Sequence, residues 1–169
     1  MTIFRQHCLK LNLSKCTFVQ SQVEYLGHFI SREGVRTDPA KIAAIVKWKT
    51  PVTLKQLRGI LSKTGYYRQF IENYATICHP LYAMPKEDSF SWGPEQDVAF
   101  AKLKQVMSSP PLLALPDFSK PFTLETDSCA SRLGAVLMQK RRPFSYFSKN
   151  PGPNNSTKSI YEKEAMAIL

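Results

Sequence analysis

The sequence predicts an α+β protein with a helical middle and a strand-rich C-terminal part. Between positions 38 and 84, apolar residues recur at the spacing of amphipathic helices. From 122 to 148 the pattern changes to alternating residues separated by turn formers, which is typical of strands. The hydrophobic content of 43% is enough to build a core in 169 residues, arranged as one domain or as two small ones.

Residues 1–37 are predicted to contain the end of a helix followed by short strands. The segments 16–19 and 23–30 alternate well enough to form a hairpin. Residues 31–34 have the composition of a turn.

Two helices of the middle region have clear start signals. Asp38 is a good N-cap, and Pro39 suits the first helical position, where its missing N–H is not needed. This helix is predicted to end at Pro51. The next helix opens with a capping box formed by Thr53 and Gln56.

Several aromatic residues are predicted to pack in the core. Tyr66, Tyr67 and Phe70 continue the apolar side of the second helix, which favours a core position over a base-stacking platform. Trp48 and Trp92 are also interpreted as packing residues. A third helical stretch is predicted at about 74–84.

A polar joint at 85–93 is the best candidate for a domain boundary. Pro94 then begins a helix that the Ser-Ser-Pro-Pro sequence at 108–111 ends. The elements predicted after it are a strand from Phe122, strands at 134–139 and 143–148 around the basic turn Lys140-Arg-Arg142, a loop at 150–155 and a terminal helix.

The positive charge is concentrated in the first half of the chain. The net charge is +10, and residues 1–85 carry twelve Lys/Arg against four Asp/Glu. A polyanion is therefore the first expected partner. The segment 41–68 contains seven basic residues and no acidic one. The seven cations are Lys41, Lys47, Lys49, Lys55, Arg58, Lys63 and Arg68.

The cysteines and the hydropathy pattern indicate an intracellular, soluble protein. Cys8, Cys16, Cys78 and Cys129 have no paired short spacing and match no zinc pattern, which favours reduced thiols. No stretch approaches the roughly 20 apolar residues of a membrane span, and the N-terminus lacks a signal-peptide pattern.

One aspartate lies where a strand is predicted to end. Leu124 and Thr126 alternate with Glu125 and Asp127, and small residues then turn the chain. A carboxylate at such an edge can face a metal-bound phosphate, and the terminal helix can supply a second one. In isolation, an aspartate at a strand end is more often a turn or cap residue.

A dozen short blocks occur in order along nearly the whole chain. They include Leu11-Asn-Leu-Ser-Lys-Cys-Thr-Phe, Val23-Glu-Tyr-Leu-Gly-His-Phe-Ile-Ser, Leu57-Arg-Gly-Ile-Leu, Gly65-Tyr-Tyr-Arg-Gln-Phe-Ile, Ala99-Phe-Ala-Lys-Leu-Lys, Thr126-Asp-Ser, Gly134-Ala-Val-Leu-Met-Gln and Tyr161-Glu-Lys-Glu. This series resembles the reverse transcriptase of long-terminal-repeat retrotransposons, and the Ty3/gypsy (Metaviridae) lineage fits best.

The resemblance implies a three-part layout. Residues 1–37 correspond to the C-terminal end of a reverse transcriptase palm, and its primer-grip hairpin includes Tyr25, Leu26, Gly27 and His28. Residues 38–86 correspond to a helical thumb. Residues 87–169 correspond to the N-terminal part of a truncated ribonuclease H-like domain, a mixed sheet with a flanking helix.

The resemblance also implies a chemistry for the intact parent, which would copy RNA into DNA and hydrolyse the RNA of RNA–DNA hybrids. Ribonuclease H hydrolysis uses two Mg²⁺ ions about 3.5–4 Å apart on carboxylate ligands. Asp127 corresponds to the first carboxylate and Glu164 to the second. Glu162 fits less well, because the family's glutamate directly precedes the apolar run.

The chain is expected to be a fragment of a Pol polyprotein that catalyses neither reaction alone. The other ribonuclease H aspartates are expected beyond Leu169, and the polymerase aspartate pair before Met1. In the family, thumb helices contact duplex nucleic acid, so the seven cations are expected to bind an RNA–DNA hybrid or a duplex with steep salt dependence. Three alternatives stay open: a noncatalytic duplex-binding module, an inert remnant of a broken element, and lysines that only solvate helix faces.

Overall fold

The chain forms helices around one core and two small antiparallel sheets, which confirms the α+β class. The computed structural model describes residues 2–10, 12–83, 90–109, 111–129, 132–150 and 158–168. The helices in these ranges are α1 (Thr2–Gln6), α2 (Pro39–Val46), α3 (Leu54–Tyr66), α4 (Tyr74–Tyr82), α5 (Pro94–Ser108) and α6 (Ile160–Ile168). The strands are β1 (Gln22–Tyr25), β2 (His28–Ser31), β3 (Gly34–Thr37), β4 (Thr123–Cys129), β5 (Arg132–Gln139) and β6 (Arg142–Lys149).

The first sheet is a meander of β1, β2 and β3. The prediction of one strand over 23–30 is wrong, because the chain reverses at Leu26 and Gly27, which both have positive φ. The predicted strand at 16–19 is also wrong, since these residues lie outside the strands of the sheet. A short hairpin therefore replaces one long strand.

The predicted starts of α2 and α3 are confirmed by their capping bonds. Asp38 Oδ1 accepts a hydrogen bond of 2.8 Å from the Ala40 N–H, and Thr53 Oγ1 accepts one of 3.2 Å from the Gln56 N–H. The Gln56 side chain accepts from the Val52 N–H at 2.9 Å. α2 already ends at Val46, ahead of Pro51.

The core lies between the helices of the middle region. Its most deeply buried large side chains are Leu57, Phe70, Leu81, Leu103 and Met107, from α3, the 3₁₀ turn at 68–70, α4 and α5. Trp48 and Trp92 pack against this core, as predicted. α5 contacts both α2 and α4, so the helix that follows the predicted polar joint completes the core formed by the helices before it. Most of the joint itself, residues 84–89, lies outside the described residues.

The second sheet consists of β4, β5 and β6 in antiparallel order. α6 packs against β4 and β5, whereas α4 packs against β6. At the second contact, the Ala75 N–H donates to Ser148 Oγ at 2.9 Å, and Asn150 Nδ2 donates to the Ala75 carbonyl at 3.2 Å. These bonds attach the second sheet to the helical core.

A two-residue segment connects the sheets to each other. Leu113 exchanges hydrogen bonds of 3.0 and 2.8 Å with Val35 of β3, and the Ala114 N–H donates to the Pro143 carbonyl of β6 at 2.8 Å. Gly34 allows this approach, because a Cβ there would lie 2.1 Å from the Leu113 carbonyl oxygen. In the described part of the chain, none of the helices has the length and apolar character needed to cross a membrane.

Candidate nucleic-acid interface

One side of α3 faces solvent along its whole length. Lys55, Gly59, Ser62 and Tyr66 follow one another at four-, three- and four-residue spacing, and all four are exposed. We call these four residues the α3 stripe. Apart from the backbone of the helix itself, no atom of the described residues lies within 4 Å of the position that a Cβ on Gly59 would take. The middle of the stripe is therefore bare backbone and one hydroxyl.

Positive charges lie beside the α3 stripe. Arg58 and Lys63 are exposed on its two sides, and Lys63 Nζ lies 5.9 Å from the centre of the Trp48 ring. The other predicted cations are also exposed, on α2, on the segment after it and on the 3₁₀ turn, and they are Lys41, Lys47, Lys49 and Arg68. All seven predicted positions can thus reach a polyanion in solvent.

The first hairpin is attached to the end of the α3 stripe. The Tyr66 hydroxyl donates a hydrogen bond of 2.7 Å to the Leu26 carbonyl in the turn between β1 and β2. Tyr25 and Leu26 are 61% and 68% exposed, although both are largely apolar. Leu26 and Gly27 both adopt positive φ in this turn. The hairpin turn and the stripe therefore form one surface.

His28 lies behind this surface rather than on it. Its ring stacks on Tyr66 at 5.3 Å between centroids and contacts Tyr67 and Phe70 at 5.7 and 5.0 Å. His28 is buried, Nδ1 has no hydrogen-bond partner among the described residues, and this burial lowers the pKa of the imidazole. The structure gives His28 a packing contact between hairpin and helix.

The aromatic prediction is confirmed for two residues and wrong for one. Tyr67 and Phe70 are buried, as predicted. Tyr66 is 51% exposed, because it ends the solvent side of α3 instead of continuing the apolar side. The spacing of Lys55, Gly59, Ser62 and Tyr66 could have revealed this from the sequence, but their mixed chemistry hid it.

Asp127 lies on the face of the second sheet that contacts α4. It is paired with Gly134, which is paired with Ser148, and side chains of directly paired residues share a face. Ser148 contacts α4 through Ala75. A cavity of about 420 Å³ lies between α4 and this face, with Glu72, Glu125, Asp127 and Arg132 among its lining residues. Asp127 thus faces an open space that charged and apolar residues line together.

The structure describes the side-chain contacts of Glu162 but not those of Glu164, the other glutamate of α6. Glu162 completes a capping box: the Ser159 N–H and hydroxyl both donate to it at 2.9 Å, and these bonds lower the pKa of Glu162. Glu164 lies in α6, which packs on β4, and its side chain is outside the described set. These contacts give Glu162 a structural role in the helix cap, and Glu164 stays a ligand only as the resemblance implies it.

The described residues do not by themselves make a metal centre. Asp127 offers the hard oxygen atoms that Mg²⁺ prefers. However, within the ranges that the structure describes, no three His, Cys, Asp or Glu side chains are grouped so that they could hold an ion.

Sequence comparisons identify relatives of this chain. Residues 92–169 match the family model described as "RNase H-like domain found in reverse transcriptase". The chain is 40% identical to the Pol polyprotein of transposon 297 from Drosophila melanogaster, over 95% of this chain and 15% of the relative. It is 37% identical to the transposon Tf2-3 polyprotein of Schizosaccharomyces pombe, over 95% and 12%. An uncharacterized mitochondrial protein of Arabidopsis thaliana is 45% identical, over 72% of this chain and 78% of the relative.

Solved structures agree on the fold. The foamy viral protease-reverse transcriptase in complex with RNA/DNA hybrid gives a TM-score of 0.82 at 20% identity, over 92% of this chain and 22% of that one. The same protein in complex with dsDNA gives 0.80, over 92% and 34%. The chain thus spans less than a fifth of the polyprotein relatives and about a third or less of these structures. It belongs to the reverse transcriptase–ribonuclease H region of the Ty3/gypsy-type retrotransposon Pol polyproteins.

Proposed function

We propose that this chain is the part of a Pol polyprotein that holds a nucleic-acid duplex, an RNA–DNA hybrid in particular. In this proposal residues 1–37 are the palm end with the primer grip, 38–86 the thumb and 87–169 the start of the ribonuclease H domain. The observation that carries it is the α3 stripe, a bare helix face flanked by cations and continuous with the hairpin turn.

The shape of the α3 stripe suits a duplex groove. Gly59 and Ser62 allow the helix backbone to approach closely, while Lys55, Arg58 and Lys63 are spaced around it to reach phosphates. Recognition by groove shape and phosphates needs no particular sequence, and it is the usual way in which A-form-like helices are bound.

The hairpin turn supplies the second contact. Tyr66 holds the Leu26 carbonyl, and His28 packs against Tyr66, so the exposed Tyr25 and Leu26 keep a fixed position beside the stripe. An apolar pair of this kind can pack on the sugars of a strand end. That both foamy viral structures are complexes with nucleic acid supports the proposal through the shared fold.

We further propose that Asp127 and Glu164 supply two carboxylates of the ribonuclease H site in the intact parent, with Mg²⁺ as its metal. When bound, the metal pair activates water and stabilises the leaving oxygen. The remaining ligands would come from the rest of the polyprotein, which would also supply the polymerase site for copying RNA into DNA. For this chain alone, the expected activity is binding.

Fluorescence anisotropy with a labelled RNA–DNA hybrid at several KCl concentrations tests the binding proposal. The wild-type chain should bind with a steep salt dependence. Replacing Lys55, Arg58 and Lys63 by Ala should make the dependence shallower. The negative slope of log K for binding against log[salt] should decrease in magnitude by up to about 2.7, because each duplex phosphate contact contributes about 0.9. These side chains are exposed, so the fold should persist.

A charge-matched triple variant separates this surface from general charge. Lys10, Lys15 and Lys102 are exposed and lie outside α2 and α3. Their replacement by Ala removes the same charge and should change the slope by less than one unit. Equal losses in the two triple variants would contradict the proposal. Absence of binding by the wild-type chain at low salt would favour the inert remnant.

A further inference from the structure

The turn between β5 and β6 has an unusual sequence for its conformation. Lys140 and Arg141 are its two central residues, and their φ values are +51° and +60°. A two-residue turn with positive φ at both positions strongly prefers Asn-Gly, because the Cβ of most other residues lies too close to the backbone in this conformation. The chain therefore places two exposed cations where local stability favours other residues.

A buried side chain fixes a second turn, at 117–120, against this hairpin. Gln139 is 7% exposed, and its Oε1 accepts a hydrogen bond of 3.1 Å from the Asp117 N–H. Its Nε2 donates to the carbonyls of Asp117 and Lys120, each at 2.9 Å. All three bonds are to main-chain atoms, so the position of the second turn is set by the residue that precedes Lys140.

The second turn presents an aromatic ring to solvent. Phe118 is 84% exposed, which is unusual for a phenylalanine in a turn that is otherwise well anchored. Its ring lies 6.0 Å from that of Phe122, which lies 5.7 Å from that of Phe144. We call these three rings the phenylalanine row. They border an open groove of about 490 Å³ whose other lining residues are almost all apolar.

Three cations lie on the β5–β6 turn, which Gln139 joins to the turn that carries Phe118. Asp117 and Lys120 form an ion pair and cancel each other. Arg142 is exposed and donates one hydrogen bond of 2.8 Å to the Glu33 carbonyl. Lys140 and Arg141 add two further cations at the tip of the hairpin. An apolar aromatic groove thus adjoins a cluster of three positive side chains.

We propose that the phenylalanine row and the Lys140–Arg142 turn bind single-stranded nucleic acid. Phosphates contact the cations of the turn, and at least one base stacks on Phe118, a combination that recurs in single-strand binding surfaces. A duplex does not fit this description, because its base faces are covered by neighbouring bases. The site lies at the end of the second sheet where the β5–β6 turn meets the 117–120 turn, and it shares no residue with the α3 stripe. It would hold an unpaired template or displaced strand.

A variant with improved turn chemistry tests this without a folding artefact. Lys140→Asn combined with Arg141→Gly installs the preferred turn sequence, so the melting temperature should rise by several degrees. Anisotropy with a fluorescein-labelled oligothymidylate of about twelve nucleotides should then show a salt slope lower by about 1.4, since each single-strand phosphate contact contributes about 0.7. A more stable protein that binds equally well would overturn the proposal.

Two further variants make the test specific. Phe118→Ala should weaken oligothymidylate binding about fivefold or more, as expected for the loss of one stacked base. Lys10→Asn with Lys102→Asn removes the same charge elsewhere and should leave the slope nearly unchanged; an equal loss would reduce the effect to net charge and overturn the proposal.

The α3 triple variant distinguishes this proposal from the duplex-binding one. It should weaken hybrid binding and leave oligothymidylate binding within about twofold, because the turn is intact. If both ligands respond only to the α3 variant, the single-strand site is absent although the duplex surface stands. If the binding of both ligands changes only in the turn variant, the α3 stripe does not bind the duplex and the duplex-binding proposal is wrong.

Discussion

At the scale of single residues, His28 shows how a sequence motif and its structural role can differ. The resemblance assigns it to a nucleic-acid-contacting hairpin, whereas its ring is enclosed by Tyr66, Tyr67 and Phe70. The charged form is disfavoured there, because the ring is buried and Nδ1 has no partner among the described residues. The neighbouring Tyr67 hydroxyl is also affected. Burial is the largest cause that raises its pKa, and the nearby Tyr66 and Asp38 raise it further.

We expect the His28 contact to weaken as the pH falls. The pKa of folded His28 lies below its ordinary value near 6.5, so the unfolded chain binds the proton more readily. The stabilising contribution is complete above pH 6.5 and is lost as the pH decreases towards the folded pKa. Urea denaturation at pH 7.5 and 5.5 should show this loss in the wild type and a smaller one in His28→Gln.

A second histidine provides the control for this measurement. His79 is exposed on α4, so His79→Gln should keep the wild-type pH dependence. If His79→Gln flattens the profile as much as His28→Gln does, the assignment to His28 is wrong.

At the scale of elements, two glycines have opposite meanings. Gly34 has φ +146°, and a Cβ on it would collide with the Leu113 carbonyl at the junction of the two sheets. Gly59 has ordinary helical geometry and open space around it. The first glycine is required by the fold, whereas the second lowers helix stability and is explained by the proposed approach of a duplex.

Alanine at these two positions should therefore change stability in opposite directions. Gly34→Ala should lower the free energy of unfolding by about 1–3 kcal/mol from backbone strain, and further through the clash. Gly59→Ala should raise it by about 0.5–1 kcal/mol. Urea denaturation followed by circular dichroism measures both, and a loss of stability in Gly59→Ala would show that its surroundings are not open.

Gly59→Ala also gives a stability-independent test of the α3 stripe. The added methyl group lies on the surface that we propose for the duplex, so hybrid binding should weaken although the protein is more stable. Ser62→Gly removes a side chain from the same stripe, so it adds no group that could keep the duplex away. Hybrid binding should therefore not weaken through steric exclusion in this variant. Unchanged anisotropy with Gly59→Ala would place the duplex elsewhere.

The sequence predicts elements best where a local signal marks their ends. Asp38, Pro39 and Thr53 mark the starts of α2 and α3 because capping depends on bonds to nearby main-chain atoms. The alternation pattern missed the β1–β2 turn, because Leu26 is not a turn former, whereas the resemblance placed a hairpin at these residues. In the structure, Leu26 and Gly27 have positive φ, and the Tyr66 hydroxyl forty residues away bonds to the Leu26 carbonyl. The exposed side of Tyr66 was missed for a different reason, since the helical spacing that reveals it joins residues of mixed chemistry.

At the scale of the whole molecule, the second sheet and the helical core share one interface. The Ala75 main chain bonds to both Ser148 and Asn150, Arg132 Nη1 donates to Thr76 Oγ1 at 3.3 Å, and Tyr146 packs against the core. These contacts could not be predicted from the sequence, because none of the residues carries a local signal for a partner 56 to 75 positions away. They join the α4 region to β5 and β6, so we expect the helices and the sheet to unfold together.

The Ser148→Ala variant tests this coupling. It removes the hydroxyl that accepts from the buried Ala75 N–H, so it should lower the free energy of unfolding by about 1–3 kcal/mol. Native-state hydrogen exchange should show the same decrease for protected amides of α3 and of β5, since a shared interface transmits the loss to both. Ser145→Ala on the same strand should change stability by less than about 0.5 kcal/mol. A decrease confined to β5 would mean that the sheet opens while the helical core stays folded, and the two parts would then be independent units.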